Sequence, residues 1–141
     1  MINSALAADR MATARTFVWV DQLHRVVAYF SLCPHEIHRE TIPITLGRGS
    51  PRVIPAILLA RLALERGLHG QGLGTKLLLD ALSRAVNAVT AAGGRFIVVD
   101  AIHEHAAKFY LRHGFAALPA SSLRLVMKSS DAEASLASAS Q

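Results

Sequence analysis

The stretch that most limits what this chain can fold into is an apolar run, a glycine cluster and an amphipathic segment in direct succession. Residues 56–64 read Ala-Ile-Leu-Leu-Ala-Arg-Leu-Ala-Leu, almost continuously apolar. A run of this kind fits a buried strand or a buried helix. Pro55 before it and the glycines after it favour a central strand. In residues 73–92, Leu73, Leu77, Leu78, Ala81, Leu82, Ala85, Val86 and Val89 recur at three- and four-residue steps, which predicts a helix with one apolar face. Gly93-Gly94 closes it as a C-terminal cap, and residues 96–99 form a short apolar strand. Strand, helix and strand in this order define a βαβ unit with a parallel strand pair.

The remaining elements surround that unit. Residues 4–14 are Ala-rich and predict a short helix. Residues 16–20 (Thr-Phe-Val-Trp-Val) are β-branched and aromatic and predict a strand; Asp21 to His24 make a turn, and residues 25–33 predict its antiparallel partner. Residues 34–55 are polar, basic and proline-containing and read as a mobile loop with room for a short strand end. Residues 104–112 predict a second helix, closed by His113-Gly114, and residues 123–127 a last strand. The expectation is one domain over residues 1–129, followed by a disordered Ser/Ala-rich tail over 130–141.

Composition narrows the class. With 52% hydrophobic and 18% charged residues, the 141-residue chain is not disordered as a whole. No apolar run reaches 18 residues without a charge, so no transmembrane helix and no membrane role is expected. The first eleven residues lack a signal-peptide pattern. The single cysteine, Cys33, excludes an internal disulfide framework and fits a reducing, cytoplasmic setting. Net charge is +5, and since residues 130–141 carry only Asp131 and Glu133, the body holds 15 bases against eight acids. Such a surface suits polyanions, although an Arg-rich surface also needs no partner.

The glycine cluster itself points to a ligand. Gly67, Gly70, Gly72 and Gly74 fall within eight residues between the strand and the helix. Glycines let the backbone approach a ligand, and a helix start supplies unpaired N–H groups and a positive dipole end. The result is an anion site suited to phosphate or pyrophosphate. Thr75 precedes Lys76, so the P-loop order fails, and G-x-G-x-x-G fails from either Gly70 or Gly72.

The residues His69-Gly70-Gln71-Gly72-Leu73-Gly74 resemble motif A of the GNAT superfamily of N-acetyltransferases, Gln/Arg-x-x-Gly-x-Gly/Ala, with His69 in place of Gln or Arg. Arg61-Leu62-Ala63-Leu64 is similar to the family's strand end. About 35 residues on, Ala106-Ala107-Lys108-Phe109-Tyr110-Leu111-Arg112-His113-Gly114-Phe115 resembles the family's Ala-x-x-Phe-Tyr-x-x-x-Gly-Phe helix. The resemblance implies a GNAT-like α/β fold: a mixed, mostly antiparallel sheet with flanking helices and a splayed central strand pair. It implies acetyl-CoA as cosubstrate, held by Leu62, Ala63, Leu64, His69, Gly70, Gln71, Gly72, Leu73, Gly74, Thr75 and Phe109. From about Arg15 to Lys128 the chain is most similar to the GNAT toxins of type II toxin–antitoxin pairs. Those acetylate the α-amine of aminoacyl-tRNA, halt translation and pair with a ribbon-helix-helix antitoxin. Only about 14 residues precede the first strand here, fewer than in that family, which usually opens with an extra strand and two helices.

Acetyl transfer requires a positioned thioester, a stabilised oxyanion and protonation of the leaving thiolate. Backbone N–H groups near Leu62 to Leu64 suit the first two. Tyr110 suits the third as general acid, because a phenol with a pKa near 10 keeps its proton at neutral pH. A free α-amine titrates at about 7.7–8.0 and needs little base, whereas a lysine amine at about 10.4 needs one. Glu65, Asp100 and His103 are possible bases, with no pattern selecting among them. Arg48, Arg52, Arg66, Lys108 and Arg112 are candidates for contacting tRNA phosphates. No metal site is expected: Cys33, His35 and His38 lack a fourth ligand, and His103-Glu104-His105 lacks the HExxH spacing. Acetylation of a small amine or a protein N-terminus, and a non-catalytic CoA- or partner-binding module, stand as alternatives. A homodimer is left open.

Overall fold

A computed structural model of the chain describes residues 3–8 and 14–139. In chain order the strands are β1 (Asn3–Ala8), β2 (Arg15–Val20), β3 (Val26–His38), β4 (Val53–Leu64), β5 (Phe96–Asp100), β6 (Ala116–Leu118) and β7 (Ser121–Lys128). The α-helices are α1 (Ile44–Gly47), α2 (Leu73–Ala91), α3 (Glu104–Arg112) and α4 (Ser129–Ala139). The strands form one sheet in the order β1-β2-β3-β4-β5-β7-β6. Every neighbouring pair is antiparallel except β4–β5, which is parallel and connected through α2. This is the mixed, mostly antiparallel GNAT-like sheet.

Two apolar layers explain the sequence pattern. Ile97 and Val99 of β5 face α2, packing with Leu77, Leu78 and Leu82, while Phe96 and Val98 face the other side with Ile54, Ala56 and Val126. A strand buried on both faces has no polar alternation to show. The helical layer also takes Tyr110 of α3 and Ala132 of α4.

The central pair splays. β4 pairs with β5 only over Ala56–Leu59, against Phe96–Val99. Beyond that point β4 has β3 on one side and, among the described residues, no partner strand on the other. The split coincides with a bulge: Leu32 pairs with Leu59 but Ser31 pairs with Arg61, so Ala60 is the extra residue.

Four expectations need correction. Residues 3–8 form strand β1, not the start of a helix; the expected helix's residues 9–13 lie outside the described residues. Ala-rich sequence favours helix by propensity, and here a six-residue ladder with β2, Asn3↔Val20 to Ala8↔Arg15, overrides it. The segment 34–55 is not one loop. β3 runs on through Pro34 to His38, a 3-10 turn (Arg39–Thr41) and α1 follow, and β4 starts at Val53. β2 accompanies β3 only to Leu32, so Pro34 falls where that edge is open and a missing N–H breaks no ladder bond there. β6 falls in a stretch the sequence left unassigned. Residues 129–139 form α4 rather than a disordered tail, with Ala132 fully buried in the helical layer; residues 140–141 lie outside the described residues.

Candidate active site

The glycine turn is built on the end of β4. The Glu65 N–H donates to the Val27 carbonyl at 2.8 Å, and a 3-10 turn (Arg66–Leu68) leads away from the sheet. His69 then reaches back: its Nε2–H donates to the Leu64 carbonyl at 2.8 Å. The Gln71 amide donates to the Gly67 carbonyl at 3.3 Å. The imidazole that departs from the family's Gln/Arg thus ties the turn to the strand end.

Gly70 and Gly72 have φ of 81° and 76°, and a Cβ built on either meets no atom within 4 Å. Left-handed backbone next to open space is what a ligand approaching the main chain requires. Gly72 caps α2 without any side-chain hydrogen bond. The N–H groups from Gly72 to Thr75 have no intrahelical acceptor and lie at the positive end of a 19-residue helix. The geometry fits a pyrophosphate. The half-buried Leu62, Ala63 and Leu64 line the splayed part of β4, where the absent strand partner leaves backbone polar groups open to a pantetheine arm.

Helix α3 brings Tyr110 to this region. The helix opens on His103, whose Nδ1 accepts the Ala106 N–H at 3.0 Å. His103 is therefore an N-cap, and as a candidate base it has its imidazole lone pair already engaged. Phe109 lies over the turn: a Cβ on Gly74 would stand 3.9 Å from its ring. Tyr110 is only 6% exposed, and burial pushes its phenol up to about 12. Among the described residues no buried side-chain nitrogen or oxygen lacks a partner, and the Tyr110 hydroxyl makes no hydrogen bond, so that oxygen is not sealed in.

Asp100 is also unsuited to act as a base. Arg124 donates to it in bidentate fashion, Nε and Nη2 each at 2.7 Å, and holds its carboxyl below the usual range. Arg124 Nη1 further donates to His35 Nε2 at 3.2 Å; burial and the neighbouring guanidinium lower the His35 pKa. Glu65 is exposed beside the turn. No cluster of three or more His, Cys, Asp or Glu able to hold a metal exists among the described residues.

The basic candidates fall into two groups. Arg66 is exposed next to the glycine turn, and Lys108 and Arg112 are exposed four residues apart on α3, the helix of Tyr110. Arg48 and Arg52 instead line a hollow of about 580 Å³ with Arg39 and Ile44, just before β4 begins. Leu62 is nine residues beyond Val53, so this hollow lies roughly 30 Å from the strand end at 3.3 Å per residue. A hollow of about 1310 Å³ lies between β3 and the far half of α2, lined by Leu32, His35, Arg84 and Ala88, away from the glycine turn.

An open glycine turn whose geometry fits a pyrophosphate, a splayed parallel strand pair and a buried tyrosine on the following helix accord with an acyl-CoA-dependent transferase, and the chain belongs to the acetyltransferase (GNAT) domain family, which matches residues 12–117. It is an N-acetyltransferase that uses acetyl-CoA. Over 130 residues it is 38% identical to the tRNA-acetylating toxin of Mycobacterium tuberculosis (strain ATCC 25618 / H37Rv), spanning 92% of this chain and 78% of that protein. Its fold is similar to AtaT complexed with acetyl-methionyl-tRNAfMet, with a TM-score of 0.80, 28% identity, and coverage of 89% of this chain and 76% of that one. It is also similar to a tyrosine-to-phenylalanine variant of AtaT bound to the C-terminus of the antitoxin AtaR and acetyl-CoA, with a TM-score of 0.71, 27% identity, and coverage of 86% and 70%. No helix among the described residues is long and apolar enough to cross a membrane.

Proposed function

We propose that this protein is a toxin that acetylates the α-amine of aminoacyl-tRNA and so stops translation. The observation that carries the reading is the pairing of an open glycine turn with a buried tyrosine, in a chain 38% identical to a tRNA-acetylating toxin. Backbone N–H groups of Gly72, Leu73, Gly74 and Thr75 take the pyrophosphate, with His69 and Gln71 holding the turn in shape. Leu62 to Leu64 orient the pantetheine arm and thioester carbonyl, and Phe109 covers the turn. The neutral amine attacks the carbonyl carbon. Tyr110 donates a hydrogen bond to the departing sulfur and passes a proton to it, and the proton lost by the attacking nitrogen restores the phenol. No protein base is assigned, because an esterified α-amine is already largely neutral near pH 7.5.

Arg66, Lys108 and Arg112 take phosphates close to the acceptor end, and Arg48 and Arg52 take phosphates further along the stem. The partner is a ribbon-helix-helix antitoxin and the compartment the cytoplasm. The test is cell-free translation with and without acetyl-CoA, followed by mass analysis of the tRNA pool. Acetyl-CoA-dependent arrest with N-acetylated aminoacyl-tRNA is expected, and Tyr110→Phe abolishes it. Translation that proceeds normally in the presence of both protein and acetyl-CoA overturns the reading.

A further inference from the structure

Thr75 and His113 are 38 residues apart in sequence and joined in the fold: Thr75 Oγ1 and His113 Nε2 stand 3.1 Å apart. The other ring nitrogen, Nδ1, lies 2.8 Å from the Phe109 carbonyl. A carbonyl can only accept, so Nδ1 carries the proton; in the neutral ring Nε2 then accepts, and the Thr75 hydroxyl donates. The ring also packs on Phe109, with centroids 4.6 Å apart. Thr75 lies in the first turn of α2, whose backbone forms the anion site, and its hydroxyl is engaged by His113. His113 is the C-cap of α3, three residues after Tyr110.

We propose that His113 is a positioning residue, a latch between the acetyl-CoA turn and the helix that carries the acid. By holding α3 to the first turn of α2 through Thr75, it fixes the distance from the thioester sulfur to the Tyr110 hydroxyl. This inference rests on the reading of Tyr110 given above. The latch contributes to the rate and not to cofactor affinity, because the pyrophosphate is held by backbone amides that remain when the latch opens. A displacement of about 1 Å at the reacting atoms can cost on the order of 10²-fold in rate.

The experiment measures kcat, KM and acetyl-CoA dissociation constants for Thr75→Val, Thr75→Ser, His113→Asn and the Thr75→Val/His113→Asn double variant. Valine keeps the size and branching of threonine and removes only the donor, so the fold is retained. Thr75→Val is expected to lower kcat by roughly 10-fold or more, with acetyl-CoA affinity within about twofold, and Thr75→Ser to restore the rate. The double variant is expected to be no slower than the slower single variant, as in a shared interaction. Spectra of 15N-labelled histidine are expected to show His113 as the Nδ1–H tautomer. An unchanged kcat in Thr75→Val, losses that multiply in the double variant, or an Nε2–H tautomer each overturn the latch. Tyr110→Phe is measured in parallel. Wild-type turnover there overturns the acid assignment whatever the latch variants do, whereas lost turnover there with full activity in Thr75→Val overturns the latch alone.

Discussion

Phe115 stands edge-on to Tyr110, ring centroids 5.6 Å apart at 70°, and the two rings meet because the chain between them makes a C-terminal cap. The Phe115 N–H donates to the Tyr110 carbonyl at 3.2 Å and the Gly114 N–H to the Leu111 carbonyl at 3.2 Å. This is the paired hydrogen-bond pattern of a Schellman cap, with the apolar contact that commonly accompanies it. Gly114 supplies the left-handed residue, at φ 97°. The Gly-Phe that follows the Phe-Tyr pair in the sequence is thus part of the device that holds the tyrosine.

Gly114→Ala should therefore injure the site through the fold. An alanine there adopts an unfavourable φ and its Cβ would stand 3.3 Å from Met127 Cε. The expected loss of stability is about 1–2 kcal/mol, with a larger relative fall in turnover than in acetyl-CoA affinity. Urea titration and steady-state kinetics on one preparation check both; a variant of unchanged stability would show that the cap is dispensable.

Gly72→Glu should abolish acetyl-CoA binding. Its φ of 76° disfavours any side chain, and a carboxylate at a helix start repels the pyrophosphate from its own site. Open space around the position lets the variant fold, at a cost of about 1 kcal/mol. Calorimetry with CoA is the measurement, and retained affinity in the folded variant would move the cofactor site elsewhere.

The pH–rate profile follows from two groups. The attacking α-amine must be neutral, so kcat/KM should rise with pH until it levels near 7.7–8.0 or lower. In the proposed mechanism Tyr110 acts in its protonated form, and since burial raises its pKa to about 12, no fall should appear between pH 8 and 10. A basic limb centred near 9 or 10 would mean that the acid is an ordinary exposed phenol or a different group.

The two basic groups should separate in function. Arg48→Ala/Arg52→Ala should weaken tRNA binding and flatten its salt dependence by about 1–2 units, while leaving acetylation of a short aminoacylated acceptor fragment unchanged. Lys108→Ala/Arg112→Ala should slow both reactions. Filter binding at several salt concentrations, with the fragment assay beside it, distinguishes them. Equal effects of the two double variants on the fragment would contradict the roughly 30 Å separation along β4.

The parts of the fold legible in the sequence were those with strong periodicity or punctuation. Helix α3 spans residues 104–112 as the sequence predicts, and α2, β2 and β5 agree to within a residue. β1 and α4 differ from the sequence expectation for one shared reason: helix propensity, even alanine's, is a weak prior, and alanine and serine offer no broad apolar face, so pairing and docking decide. α4 seats on the helical layer through Ala132 and Leu136 rather than through a stripe of large residues. The Gly-rich turn, Phe109 and Tyr110 were readable as motifs. The cap made by His103 and the tie between His113 and Thr75 were not, because a histidine's role depends on which atoms the fold sets against its two nitrogens.

The bulge at Ala60 acts on β4 as a frameshift acts on a reading frame. Before it the odd-numbered Ile57 and Leu59 point to the helices; after it the even-numbered Leu62 and Leu64 do. One extra residue inverts the strand's parity where the sheet opens, which is why the run 56–64 shows apolar residues in both frames. Deleting Ala60 would leave Leu59, Arg61 and Leu62 in regular alternation with Leu62 and Leu64 still toward the helical layer, whereas flattening the bulge with Ala60 retained would turn Leu62 and Leu64 away from that layer and swing Arg61 and Ala63 into it. The irregularity that parts the sheet is thus also what keeps the strand's last turn-ward residues in phase with the core.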